Sequence, residues 1–173
     1  ALDPAKLEFA ASAEPLVQVP MLNFTAEQSQ KLNAIPDVVL RELARDVLTG
    51  RQFRRDIWVK GSRKLTGSER FDAFNRTRWV TNVARHKVPG SVKCTLGEAK
   101  LDEKNYGAIF DLLDQAKGPV VQSQLTEKLS AMGASLNSLP QSMMVLLGSW
   151  SIAPAQSDEL IDAARPYTDR LNR

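Results

Sequence analysis

Short apolar stretches recur through the first part of the chain with two different periods. A run over residues 7–11 predicts a strand, and apolar positions three and four apart predict helices over about 26–34 and 37–49. Gly50 is expected to end the second helix. That helix carries an apolar stripe that we expect to be buried, formed by Leu40, Leu43, Ala44, Val47 and Leu48.

Three further strands are predicted, over 56–60, 78–84 and 91–101, with a turn at Pro89-Gly90 before the last of them. Cys94 lies on the apolar phase of that last strand, so we expect it to be a small core residue. These segments together predict an α+β fold in which helices accompany a small antiparallel sheet.

Three helix starts carry the capping-box pattern, in which Ser or Thr is followed three residues later by Gln or Glu. The two side chains then satisfy free backbone N–H groups reciprocally. The pattern occurs at Thr25–Gln28, Thr66–Glu69 and Ser138–Gln141. We therefore expect a helix to begin at each of these places.

The last third of the chain has a different order of elements. Helices are predicted after Asp102, before Gly133 and over 139–149, and an extended segment follows at 150–153. Three short helices followed by a strand is the element order of a winged-helix fold, and the strand predicted over 91–101 precedes the first of these helices.

We therefore place a domain boundary near Leu101. The first predicted domain covers 1–101, and the second, a winged-helix-like helical domain, covers 102–173. A closing helix is expected to begin at Ser157, and Pro166 is expected to kink or break it.

The net charge of +3 hides an uneven distribution. Residues 50–100 hold 13 Lys and Arg against 4 Asp and Glu, and the rest of the chain holds 10 against 16. A basic middle between acidic flanks indicates intramolecular docking or an anionic partner, and a solvated basic face has the same composition.

Several features of the sequence bear on location. No apolar stretch approaches the roughly 20 residues that span a bilayer, and the N-terminus lacks the basic and apolar regions of a signal peptide. The single Cys94 cannot form an internal disulfide, which fits a reducing cytoplasm. The chain begins with Ala1 rather than Met, so we expect an excised fragment.

The usual signatures of cofactor binding and catalysis do not occur in the sequence. There is no G-x-G-x-x-G for a dinucleotide or adenosylmethionine, no phosphate-binding G-x-x-x-x-G-K-[ST] and no G-x-S-x-G. One histidine, His86, and one cysteine cannot form a zinc site of the usual kind. We therefore predict no catalytic, cofactor-binding or metal-ligating residue in this chain.

The strongest candidate contact site is a basic cluster with two aromatic residues. Arg51 and Arg55 are one helical turn apart, and guanidinium groups on one face could bind carboxylates or phosphates. Two aromatic side chains nearby could serve as apolar anchors, and a solvated edge with local ion pairs is the alternative. The basic cluster continues through Arg63 and Lys64, and the candidate contact residues are Arg51, Phe53, Arg54, Arg55, Trp58 and Lys60.

The predicted third helix of the winged-helix-like part, over 139–149, contains no Lys or Arg. Phosphate neutralisation dominates the affinity of proteins for duplex DNA. The composition of this helix therefore argues against nucleic acid and favours protein contact or core packing.

The stretch Arg51-Gln52-Phe53-Arg54-Arg55-Asp56-Ile57 resembles the predicted methyltransferase regulatory domain of bacterial protein-lysine methyltransferases. That family includes enzymes that modify rickettsial outer-membrane proteins. The resemblance extends over nearly the whole chain, through residues 7–13, 23–28, 92–99 and 170–173. It implies three parts in order: a Rossmann-like catalytic domain that is absent here, a regulatory domain, and a winged-helix C-terminal domain.

The resemblance implies a non-catalytic, regulatory and substrate-docking region of a methyltransferase. Its expected partners are the catalytic domain in cis, which would hold S-adenosylmethionine, and a protein substrate methylated on lysine. The alternative functions are a winged-helix nucleic-acid-binding protein and an independent enzyme of another type.

Overall fold

The computed structural model describes residues 6–116 and 118–171, with side chains up to residue 168. Within these residues helices accompany short antiparallel strands, so the predicted α+β class is confirmed. The strands are β1 (Leu7–Ser12), β2 (Asp56–Lys60), β3 (Arg78–Thr81), β4 (Ser91–Cys94), β5 (Gly97–Lys100), β6 (Val120–Val121) and β7 (Ile152–Pro154). The α-helices are α1 (Pro20–Asn23), α2 (Ala26–Asn33), α3 (Val38–Thr49), α4 (Gly67–Arg76), α5 (Ala108–Gln115), α6 (Gln122–Ala131), α7 (Leu139–Gly148) and α8 (Asp158–Leu171).

No helix within the described residues is long and apolar enough to cross a membrane.

Two of the three predicted capping boxes form. Thr25 Oγ1 accepts a hydrogen bond from the Gln28 backbone N–H at 3.2 Å, and Gln28 Oε1 accepts one from the Thr25 N–H at 2.9 Å. The same reciprocal pair joins Thr66 and Glu69 at the start of α4. The box predicted at Ser138 is wrong, because its backbone is not extended (φ -103°, ψ 6°) and its side chain makes no cap hydrogen bond.

β1 and β2 form a two-stranded antiparallel ribbon in which Phe9 lies opposite Trp58. The two rings meet edge to face, with centroids 5.8 Å apart. The register shifts between Phe9 and Ala11, which leaves Ala10 in a β-bulge. A ribbon of two strands is marginally stable by itself, so it depends on the helix that packs against it.

The strand predicted over 91–101 is in fact a hairpin of β4 and β5. The chain reverses between Cys94 and Gly97, and Gly97 has a φ of 118° that only glycine adopts easily. The Cys94 thiol donates to the Gly97 carbonyl at 3.1 Å and is half-buried, so it lies at the hairpin end rather than in the core. The strand predicted over 78–84 ends earlier, at Thr81.

The main core lies among α5, α6, α7 and a three-stranded sheet of order β6-β3-β7. The helices and the closing strand β7 follow the order that the sequence predicts for the second part of the chain. The sheet and the helices bury one apolar cluster between them. Its buried members are Trp79, Ile109, Phe110, Leu113, Val120, Leu125, Leu129, Leu139, Met143, Leu146 and Ile152.

Contacts cross the predicted domain boundary at several places. β3 pairs with β6 on one side and with β7 on the other, so a strand of the first predicted domain is central to the sheet of the second. α7 packs on the N-terminal segment, where a Cβ added to Gly148 would lie 2.5 Å from Leu16 Cγ. The boundary near Leu101 stays a prediction.

The segment after α7 differs from the predicted extended run. Trp150 has a φ of 59°, a left-handed conformation that side chains rarely adopt, and β7 begins only at Ile152. The closing helix α8 contains Pro166 and continues to Leu171, so the predicted break does not occur. Arg78 of β3 donates to an Asp158 carboxylate oxygen at 2.5 Å, which ties the start of this helix to the sheet.

Candidate docking surface

The segment that connects α3 to β2 is not helical. Gly50 ends α3 in the left-handed conformation, with a φ of 63°, and residues 51–55 have no regular structure. Arg51 and Arg55 therefore do not share a helix face, and that part of the predicted site is wrong.

Arg54 is bound by three carboxylates of its own chain. Its Nη1 donates to Asp46 Oδ2 and its Nε to Asp56 Oδ2, both at 2.9 Å, and its Nη2 lies 3.5 Å from Glu42 Oε2. The guanidinium carbon lies 5.3 Å from the centroid of the Phe9 ring. Burial lowers the pKa of Arg54, but the hydrogen bonds to Asp56 and Asp46 outweigh it and hold the pKa above its ordinary value.

Arg51 is also paired inside the chain, because its Nη2 donates to Glu14 Oε2 at 2.6 Å. Trp58 and Arg54 both contact Phe9, and they line one shallow cavity of about 200 Å³. Their contact role, and that of the other predicted residues, stays a prediction. The remaining predicted contact residues are exposed and do not line this cavity: Phe53, Arg55 and Lys60.

α3 is amphipathic, but its two faces are placed the opposite way from those of a typical surface helix. The side chains of Glu42, Asp46 and Arg45 are only 14%, 18% and 19% exposed. Leu43 and Val47, on the apolar side, are 57% and 75% exposed. The stripe predicted to be buried is therefore exposed, and none of the residues of α3, all of which the structure describes, is buried.

Ion pairs and a carbonyl contact hold the charged side of α3 inward. Glu42 binds Arg45 at 3.1 Å and also Arg54, so it ties α3 to the residues before β2. Arg45 donates to the Val17 carbonyl at 3.2 Å, and its guanidinium carbon lies 5.4 Å from the centroid of the Phe24 ring. The charged face of α3 thus packs on the N-terminal segment, and its ion pairs are made within the chain, although Arg45 Nε is buried without a hydrogen-bond partner among the described residues.

The outward side of α3 forms one wall of a groove of about 690 Å³, and α2 forms the other. Exposed apolar surface that is contiguous in this way marks an interaction site more often than a scattered exposed side chain does. These residues were not among the predicted contact residues, because an amphipathic stripe predicts burial without indicating what covers it. We call the following residues the α3 apolar face: Leu40, Leu43, Ala44, Val47 and Leu48.

The described residues offer little at other positions that could act as a metal or catalytic centre. Within the ranges that the structure describes, no three His, Cys, Asp or Glu side chains are grouped so as to hold a metal ion. His86 is exposed in a short 3-10 turn.

The adjacent Arg85 is bound by Asp111 and Glu103, and these hydrogen bonds raise the pKa of Arg85. That pair of contacts ties the turn to the helical part of the chain.

A family model described as the predicted methyltransferase regulatory domain matches residues 1–60. The resemblance is confirmed for this part of the chain. The matched region contains β1, α2, α3 and β2. The α3 apolar face and the Arg54 ion pairs therefore both lie within the matched residues.

Two longer proteins are similar over nearly the whole chain. An uncharacterized protein from Synechocystis sp. is 30% identical over 171 residues, which are 99% of this chain and 33% of that protein. The structure of PKMT2 from Rickettsia typhi is matched over 90% of this chain and 34% of its own length, with a TM-score of 0.53 and 16% identity. At that identity the likeness shows a shared fold. The chain spans about a third of the length of both relatives.

Proposed function

We propose that this chain is the non-catalytic regulatory and substrate-docking region of a bacterial S-adenosylmethionine-dependent methyltransferase that acts on protein lysine. The catalytic domain, which holds the methyl donor, belongs to the same polypeptide and works in the cytoplasm. The regulatory-domain match over residues 1–60 supports this proposal, as does the fold shared with PKMT2.

The outward orientation of the α3 apolar face carries the proposal. Fully burying one exposed Leu or Val contributes about 1.5–3 kcal/mol, and the four such side chains of this face are 40–75% exposed, so covering the face favours a contact between domains. The occupant we propose is the catalytic domain. About two thirds of each longer relative lies outside the region matched by this chain, and in those proteins that length is available to cover such a face.

The packing of α7 supports a protein-docking role over the nucleic-acid-binding alternative. Its sequence has no Lys or Arg, and its inner side chains lie in the core. A recognition helix that is buried and uncharged neutralises no phosphate. The buried residues are Leu139, Ser142, Met143, Val145 and Leu146.

The first test is the native gene next to the codon for Ala1. We expect it to encode a Rossmann domain with an adenosylmethionine-binding pattern. A gene that encodes no such domain contradicts the proposal directly.

The second test measures the affinity of that domain, expressed separately, for this chain. Replacing Leu43 and Val47 together by Asp is expected to weaken the contact by tenfold or more, since apolar side chains buried at a contact carry most of its free energy, about 2 kcal/mol or more for a central residue. The matched control replaces Met132 and Leu160 by Asp; both are comparably exposed, at 62% and 58%, and lie outside the α3 apolar face. Equal affinities for the two double variants contradict the assigned occupant.

A further inference from the structure

A second surface of the molecule is a cleft between β1, α3 and the start of α4, with a volume of about 550 Å³. Ligand clefts of this order, about 300–1,000 Å³, are large enough to hold a short peptide segment or a small molecule. Five cationic side chains line it against two carboxylates, Glu8 and Glu42. We call it the basic cleft, and its cations are Arg41, Arg45, Arg63, Lys64 and Arg70.

Two of these cations are already occupied by carboxylates. Arg45 binds Glu42 at 3.1 Å, and Arg63 binds Glu69 at 2.7 Å. Their charges are therefore largely compensated within the chain.

The other three cations, Arg41, Lys64 and Arg70, have no carboxylate within ion-pair distance among the residues that the structure describes. Arg41 donates to the Ile35 carbonyl at 3.2 Å, and Arg70 and Lys64 are exposed. The basic cleft thus carries uncompensated positive charge, whereas Arg51 and Arg54 are paired with carboxylates.

β1 forms one side of the basic cleft, and four consecutive residues, 8–11, line it. This strand pairs with β2 along one edge, and the described part of the chain supplies no strand for its other edge. A strand edge without a partner offers N–H and C=O groups to an extended peptide. Phe9 and Val38 add apolar surface beside the cations.

We propose that the basic cleft binds an extended acidic peptide segment. Arg41, Lys64 and Arg70 face its carboxylates, and Phe9 and Val38 contact its apolar side chains. The inference rests on the proposed function in one respect: if this region docks a protein substrate, the docked segment of that substrate is acidic. A nucleic acid fits less well, because three available cations beside two carboxylates are too few for a tight phosphate track.

The test measures binding of a short fluorescent peptide of alternating Glu and Leu to this chain by anisotropy. The control peptide has Gln in place of each Glu, and a thymidine oligonucleotide of equal charge is the third probe. We expect the Glu peptide to bind and to weaken as salt increases, because exposed charges are screened. The Gln peptide and the oligonucleotide are expected to bind at least about tenfold more weakly.

The variant with Arg41→Gln, Lys64→Gln and Arg70→Gln is expected to lose about tenfold in affinity for the Glu peptide. The matched variant with Lys87→Gln, Lys93→Gln and Lys128→Gln removes the same charge at exposed positions outside the cleft and is expected to bind within about twofold of the unmodified chain. Melting curves of both variants establish that they are folded.

Equal loss in the two variants overturns the proposal, as does tighter binding of the oligonucleotide or no binding of the Glu peptide. These measurements use the chain without a catalytic domain. They therefore fail or succeed separately from the contact of the α3 apolar face with that domain.

Discussion

Asp46 and Val47 are neighbours on α3, yet the charged residue is the more buried of the two. The Asp46 side chain is 18% exposed and binds Arg54 at 2.9 Å, whereas Val47 is 75% exposed. The reverse arrangement is the usual one, because a charged group loses hydration when it is buried, whereas burying an apolar side chain stabilises the fold. The helix can keep this orientation because Glu42, Arg45 and Asp46 form ion pairs within the chain, which leaves its apolar face available to another protein surface.

The central cation of this arrangement should be important for stability. Arg54→Met is expected to lower the free energy of unfolding by about 1–3 kcal/mol, because it leaves Glu42, Asp46 and Asp56 without the cation they share. Urea denaturation measures the difference. Arg55→Met is the control; this side chain is exposed, so we expect a change within about 0.5 kcal/mol. Equal changes in the two variants contradict a structural role for Arg54.

Local signals in the sequence predicted the helix ends well. The capping boxes at Thr25 and Thr66 and the glycine stop at Gly50 involve residues within one turn of each other, so a short stretch of sequence determines them. The box at Ser138 does not form because Ser138 lies in a turn, closed by a hydrogen bond from the Leu139 N–H to the Leu136 carbonyl, and its backbone is not extended.

Longer-range relationships could not be predicted in this way. The amphipathic pattern of α3 indicates that one side is apolar but not which side the rest of the chain covers. The partner of Arg51 is Glu14, 37 positions earlier. Glu14 follows β1 and Arg51 precedes β2, so the two side chains meet only when these strands pair. The cations of the basic cleft come from α3, from α4 and from the loop between β2 and α4, so only the fold brings them together.

The conformation of Trp150 predicts a stabilising substitution. It follows α7 with a φ of 59°, and its side chain is 75% exposed. A left-handed residue other than glycine costs about 1–2 kcal/mol, and glycine avoids that cost. Trp150→Gly is therefore expected to be about 1 kcal/mol more stable than Trp150→Ala, which loses the same ring and keeps the strain. Thermal unfolding of the pair measures this, and an alanine variant as stable as the glycine variant contradicts it.

The contact between Gly148 and Leu16 predicts the opposite behaviour. Alanine is normally the better helix residue by about 1 kcal/mol, but here its Cβ would lie 2.5 Å from Leu16 Cγ and 3.0 Å from the Leu16 backbone nitrogen. Gly148→Ala is expected to lower the free energy of unfolding by about 1–3 kcal/mol. Adding Leu16→Ala should recover part of this loss. A coupling of zero in the double-mutant cycle contradicts the close approach of α7 to the N-terminal segment.

The behaviour of this chain towards S-adenosylmethionine tests its non-catalytic assignment. A ligand that binds only the native state raises its stability by about 2.7 kcal/mol at a hundredfold excess over Kd. The sequence has no G-x-G-x-x-G segment, so we expect no rise in Tm when the methyl donor is added to this chain alone. A complex with the proposed catalytic domain should show the rise, because the donor then binds in the partner. A clear rise with the chain alone contradicts the assignment, since it requires a donor site formed by these residues themselves.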